Sequence, residues 1–135
     1  DAQESRGLGD VYKRQVPVVF AKKAQSLNLD GEMFTSKVES FTHKKVYDVI
    51  LSKKFLGPED HVLLIDDFLA NGEAATGAIR LLRKAHATIA GVGILIEKSF
   101  QPGRGKLIEQ GIDVYSLARI SKLGKDLIEF IPEEE

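Results

Sequence analysis

Four consecutive apolar residues, Val62-Leu63-Leu64-Ile65, run straight into two carboxylates, Asp66-Asp67, then a loop of small residues, then a stretch with helical periodicity from Glu73 to Ala85. No other feature constrains the fold as much. A strand that is apolar on both faces must be covered on both, which places it centrally in a parallel sheet and requires a crossover element after it. That element is present. Ala74, Ala78, Leu81, Leu82 and Ala85 recur at i, i+4, i+7, i+8 and i+11, while Arg80, Arg83 and Lys84 take the opposite side or the C-terminal end. This is an amphipathic helix covering one face of a sheet, with its basic residues where the helix dipole favours them.

The remaining chain repeats the pattern. Ile89 to Ile96 reads as a second buried strand, Arg104 to Gln110 as a short helix stopped by Gly111, and Val114 to Leu117 and Leu127 to Ile131 as the last strands. Strand, helix, strand, helix, strand predicts an α/β, doubly wound sheet whose ligand sits outside the carboxyl ends of the strands. Upstream, Val16-Pro17-Val18-Val19-Phe20-Ala21 reads as another buried strand, with Val18 to Phe20 expected among the parallel ones. After a turn at Asp30-Gly31, Phe34 to Phe41 and Val46 to Leu51 are expected to pair as a ribbon. Asp1 to Gln15 shows neither period and reads as a non-native leader, so the domain is expected over residues 16–135.

Composition narrows the function. The 135 residues suffice for one domain, and a net charge of −1 offers no footprint for a nucleic-acid backbone. Cysteine is absent, which removes disulfides and thiolate metal sites. No apolar run is long enough for a membrane span and no secretion signal is evident, so the expectation is a cytoplasmic protein with no nucleic-acid and no membrane partner.

The chemistry concentrates between Asp66 and Thr76. A buried strand that ends in paired carboxylates and enters a helix through Asn71-Gly72 suits a phosphorylated sugar. Loop amides and the helix N-terminus cradle the phosphate, and carboxylates accept hydrogen bonds from the hydroxyls. The plainer alternative is that Asp66 and Asp67 only terminate the strand and Asn71 only caps the helix. Lys98, at the end of the next buried strand, is either a ligand contact or a surface lysine; Arg104 is either a phosphate contact or an ordinary helix-start arginine. His43, His61 and His86 have no metal-ligand spacing.

The apolar strand, Asp66-Asp67 and Ala70-Asn71-Gly72-Glu73-Ala74 resemble the phosphoribosyl diphosphate signature of type I phosphoribosyltransferases. Ile94-Leu95-Ile96-Glu97-Lys98-Ser99-Phe100-Gln101-Pro102-Gly103-Arg104 and Leu117-Ala118-Arg119-Ile120 resemble the bacterial xanthine branch of that family. The resemblance runs from Val16 to Phe130. It implies a Rossmann-like central parallel sheet flanked by helices, and transfer of a phosphoribosyl group from phosphoribosyl diphosphate to xanthine in purine salvage. It further implies Mg²⁺ bound with the diphosphate, and a homodimer. Position by position, it implies that the backbone of Ala70, Asn71, Gly72, Glu73 and Ala74 holds the 5-phosphate. Asp66 and Asp67 would be the catalytic carboxylates at the ribose hydroxyls, and Lys98 the contact to the exocyclic oxygen of the purine.

Members of that family carry an earlier segment ahead of the strand at Val16, with the pyrophosphate-gripping loop and the purine cover, and Asp1 to Gln15 does not resemble it. The domain is therefore expected to be incomplete at its N-terminus, and the chain by itself inactive on xanthine. The competing reading is a purine-responsive transcriptional regulator that keeps the domain to sense phosphoribosyl diphosphate. Lys98 speaks against it, because a sensor holds no purine. A Rossmann dinucleotide site is disfavoured by the lack of a G-x-G-x-x-G turn after a strand.

Overall fold

Two sheets share one helix. The computed structural model describes residues 16–24, 31–40 and 44–133; the stretch Asp1 to Gln15, read above as a leader, lies outside them. The described strands are β1 (Lys22–Ala24), β2 (Met33–Ser40), β3 (Lys45–Ser52), β4 (His61–Leu69), β5 (Thr88–Lys98), β6 (Val114–Gly124) and β7 (Leu127–Phe130), and the helices are α1 (Glu73–Lys84) and α2 (Gly103–Glu109). One sheet has the order β4-β5-β6-β7, parallel through β6 and closed by antiparallel β7. The other is antiparallel, in the order β1-β3-β2. The βαβαβ reading of the second half holds because parallel neighbours need crossovers, and α1 and α2 supply them.

The expectation for Val16 to Ala21 does not hold. These residues form no strand, Val16 and Val19 are exposed, and among the described residues the first pairing is at Lys22, antiparallel to β3. A β-branched run has strand propensity, but a strand forms only where a neighbour's backbone groups meet it. The ribbon of β2 and β3 does form, from Met33↔Ser52 to Ser40↔Lys45.

The strand β4 is parallel but not central. Among the described strands it is the edge of its sheet, with Leu63 47% and Ile65 59% exposed. Leu95, Tyr115 and Leu117 are also exposed. An apolar pattern on both faces reports what the residues would bury, not whether the described chain provides the cover.

The helix α1 is buried on two sides rather than one. Leu81, Leu82 and the following Ala85 pack with Val38, Val49 and Leu51 of the antiparallel sheet. Ala75 and Ile79 pack with Leu69, Val92, Ile94 and Val114 of the parallel sheet, and with Leu107 of α2. Ile79, outside the expected stripe, is fully buried, whereas Ala74, inside it, is exposed. The approach to β2 is so close that a Cβ at Gly77 would overlap the side chain of Val38. Glycine costs a helix interior about 1 kcal/mol relative to alanine, and here it is the residue that lets the helix lie on that strand.

Candidate functional site

The strand β4 runs on past the expected Val62 to Ile65: Asp66 and Asp67 lie within it, near its carboxyl end, with Phe68 and Leu69 still paired to β5 before the chain crosses 70–72 to α1. Gly72 is the N-cap, in the left-handed region at φ 84°, and no side chain caps the helix. The amides of Glu73, Ala74 and Ala75 thus lack both an intrahelical acceptor and a side-chain acceptor, and they sit at the positive end of the helix dipole. A cleft of ≈ 170 Å³ opens at this end of the helix. Residues 70–75 form one wall, and Val38, Glu39 and Ser40 of β2 with Tyr47 of β3 form the other. The Glu73 carboxylate is turned away to Lys106 of α2 at 3.1 Å.

The loop is held from outside by the next βα turn. The Gly103 N–H donates to the Ala70 carbonyl oxygen at 2.9 Å. A Cβ on Gly103 would overlap that oxygen and would lie 3.0 Å from the Gly72 nitrogen. Gly103 thus permits backbone to lie on backbone.

Asp66 is half-buried and Asp67 exposed. Each carboxylate accepts from the next residue's N–H: Asp67 to Asp66 Oδ1 at 2.8 Å, and Phe68 to Asp67 Oδ1 at 2.9 Å. Burial, reinforced by the Asp67 carboxylate beside it, pushes Asp66 up to about 6, against the opposing pull of the Asp67 N–H and the Lys23 ammonium. The same burial raises the Tyr47 hydroxyl, with the Asp66 charge adding to it. Lys23 Nζ lies 4.8 Å from the centre of the Tyr47 ring. Lys23 and Tyr47 are therefore neighbours of the acidic pair, which the sequence reading missed. Their proximity depends on antiparallel pairings such as Lys23↔Val49 and Val38↔Tyr47, for which no local signal exists.

On β5, Glu97 is 1% exposed and accepts hydrogen bonds from Arg104, Ser116 and Arg119. Arg104 reaches it through Nε at 2.9 Å and Nη2 at 2.7 Å, Ser116 through Oγ at 2.7 Å, and Arg119 through Nε at 3.1 Å. Burial alone would raise the Glu97 carboxyl; hydrogen bonds from Arg104, Ser116 and Arg119 outweigh it and hold the group below its ordinary value. Arg104 is thus neither a free phosphate contact nor a plain helix-start residue but the main partner of a buried carboxylate. Lys98, half-buried, follows one residue beyond the Leu69↔Glu97 pair, opposite Ile120 of β6.

The structure brings the loop, its helix and β2 into one cleft. Asp66, Asp67 and Lys98 lie along the strand ends beside that cleft but do not line it. Among the described residues no group of three His, Cys, Asp or Glu gathers in metal-binding arrangement. His61 bonds Thr88 through Nδ1 at 2.7 Å, His86 lies just past α1, and His43 lies outside the described residues.

No family model matches the chain. It is 57% identical to the xanthine phosphoribosyltransferase of Agathobacter rectalis over 96% of its own length and 70% of the relative's. It is 53% identical to that of Clostridium acetobutylicum, over 95% of itself and 70% of the relative. Among solved structures, adenine phosphoribosyltransferase from Saccharomyces cerevisiae superposes with a TM-score of 0.72 at 24% identity, over 87% of this chain and 62% of that one. The Giardia lamblia enzyme, complexed with 9-deazaadenine, superposes at 0.67 and 28%, over 83% and 62%. The chain therefore spans about 70% of these curated relatives and 62% of these structures.

Proposed function

The chain belongs to the xanthine phosphoribosyltransferase family, and from that premise we propose that it carries the phosphoribosyl site of a purine-salvage transferase. The reaction exchanges the bond from the anomeric carbon to diphosphate for a bond to a xanthine nitrogen, giving xanthosine 5′-monophosphate and diphosphate. The observation that carries the reading is the uncapped helix N-terminus at Gly72 opening into the cleft, a receptor for the 5-phosphate.

In this reading the amides of residues 72–75 bind the phosphate. Asp66 and Asp67 accept from the ribose hydroxyls and face the positive charge that develops on the ring. Lys98 donates to the exocyclic oxygen of the purine. Ala70 gives the loop no carboxylate to serve as general base, which favours a purine that ionises readily in water. Mg²⁺ travelling with the diphosphate would supply charge neutralisation at the leaving group. The residues fit an ion delivered in this way, since Asp66 and Asp67 offer hard oxygen donors. A homodimer and a cytoplasmic setting belong to the same proposal; no described helix is long and apolar enough to cross a membrane.

The test is calorimetric titration of the chain with ribose 5-phosphate, with Asp67→Asn as the variant. Binding that weakens about tenfold with an unchanged unfolding midpoint supports the ribose role, since a hydrogen bond to a charged group contributes roughly 1.5 kcal/mol. Unchanged affinity removes it. Xanthine, hypoxanthine and adenine are then compared as acceptors from phosphoribosyl diphosphate with Mg²⁺, and preference for adenine would overturn the substrate assignment.

A further inference from the structure

Among the described residues no other charged side chain is as buried as Glu97. A buried ion pair is seldom the most stable choice, because well-packed apolar residues do as well without the desolvation cost. What such a pair does supply is a fixed geometry. The geometry here joins both ends of the candidate site. Glu97 immediately precedes Lys98, and its carboxylate grips Arg104 of α2 and Arg119 and Ser116 of β6. Arg104 immediately follows Gly103, whose N–H bonds the Ala70 carbonyl and whose Cα abuts Gly72. One continuous strut therefore runs from Lys98 through Glu97, Arg104 and Gly103 to the 70–72 loop. None of its three inner members lines the cleft.

We propose that Glu97 and Arg104 are positioning residues that act through Gly103, holding the phosphate loop at a set distance from Lys98 so that phosphoribosyl group and purine meet in register. This rests on the assignment of the loop to the phosphate. Without Arg104 the start of α2 is untethered from β5, the Gly103 buttress can recede, and the loop amides lose their common aim. Misplacement of about 1 Å in such sites costs roughly 100-fold in rate.

The experiment titrates the full chain with ribose 5-phosphate for wild type, Arg104→Met, Arg104→Lys, Gly103→Ala and the double variant Arg104→Met/Gly103→Ala, with circular dichroism to establish folding. The expected loss is about tenfold for Arg104→Met and for Gly103→Ala, and smaller but at least threefold for Arg104→Lys, which keeps the charge and loses the fork. Because both sites belong to one strut, the double variant should bind no worse than about the weaker single variant. Amide shifts of Ala70 and Gly72 should move in ligand-free Arg104→Met, a change that loss of stability alone would not localise. A loss under threefold in any folded variant overturns the proposal, and so do losses that multiply in the double variant. If Arg104→Met does not fold, Arg104→Lys and Gly103→Ala decide by the same threshold. Failure of the wild type to bind ribose 5-phosphate defeats instead the assignment of the loop, and this proposal with it.

Discussion

The turns from β4 into α1 and from β5 into α2 are built alike and do opposite things. Each leaves a parallel strand at its carboxyl end, carries acid there, and reaches a helix through a glycine. In the first, Asp66 and Asp67 make no ion pair among the described residues and only accept from their own backbone. In the second, Glu97 is walled in by Arg104, Arg119 and Ser116. A carboxylate whose lone pairs are filled by the protein has nothing left for a ligand, whereas one that is half-buried and unpaired does. Their ionisation follows: Asp66 is pushed up and Glu97 held down. In the proposed reading the first turn is a receptor and the second is its mount.

The sharpest way to break this comparison is to delete each acid. Glu97→Ala should cost about 3 kcal/mol in urea unfolding. That is the low end for breaking a buried pair, because Arg104 and Arg119, 26% and 36% exposed, can turn partly to water. Asp66→Ala should cost less than about 0.5 kcal/mol. Equal losses would end the distinction between receptor and mount.

The two acids should also give stability opposite slopes with pH. The folded value of Asp66 is raised from 3.8 to about 6, so its favourable contribution is present below 3.8 and lost as pH rises through about 6. The size is on the order of 1 to 2 kcal/mol after reduction for its partial exposure. Glu97, held low, stabilises above its ordinary 4.5 and loses that contribution as pH falls through its folded value. Unfolding of wild type and Asp66→Asn between pH 4 and 7 isolates the Asp66 contribution, and a wild-type curve that parallels Asp66→Asn would remove the Asp66 effect. Ribose 5-phosphate affinity should respond the other way, gaining as Asp66 ionises.

Gly72→Ala tests the receptor's backbone. At φ 84°, with Gly103 Cα 3.0 Å from the added carbon, alanine should cost about 1 to 2 kcal/mol and displace the loop from the buttress. Full stability would show that the left-handed N-cap is not required.

The smallest expected effect is at the other ends of the helices. Both close with the same paired reverse bonds, His86 to Arg83 and Ala87 to Leu82 after α1, Gly111 to Ile108 and Ile112 to Leu107 after α2. The left-handed position is Gly111 in one and His86, at φ 60°, in the other. His86→Gly should therefore stabilise the protein by about 1 kcal/mol, read as a higher thermal midpoint.

Local signals made the strand, loop and helix of the first turn readable from the chain. The run Val62 to Ile65, the acids at its end, the small loop and the period of Glu73 to Ala85 each act over a few residues, and strand, loop and helix follow from them. The same holds for the ribbon of β2 and β3 and for Gly111 as a helix stop. The Glu97–Arg104 contact is not readable from the chain, because it is decided by how α2 settles on β5. Val16 to Ala21 failed for a related reason, since strand propensity names no partner.

What the sequence determined by itself was the alternation of strands and helices and the placing of two acids near the end of β4 and of a small-residue loop between β4 and α1, both written in short-range patterns. Tertiary structure alone decided that β4 is an edge among the described strands, that α1 faces two sheets, that Lys23 and Tyr47 stand beside Asp66, and that Gly103 braces the 70–72 loop. Each of these depends on which distant backbone meets which. That choice is set by the summed burial of many side chains at once, and no single stretch of chain encodes it.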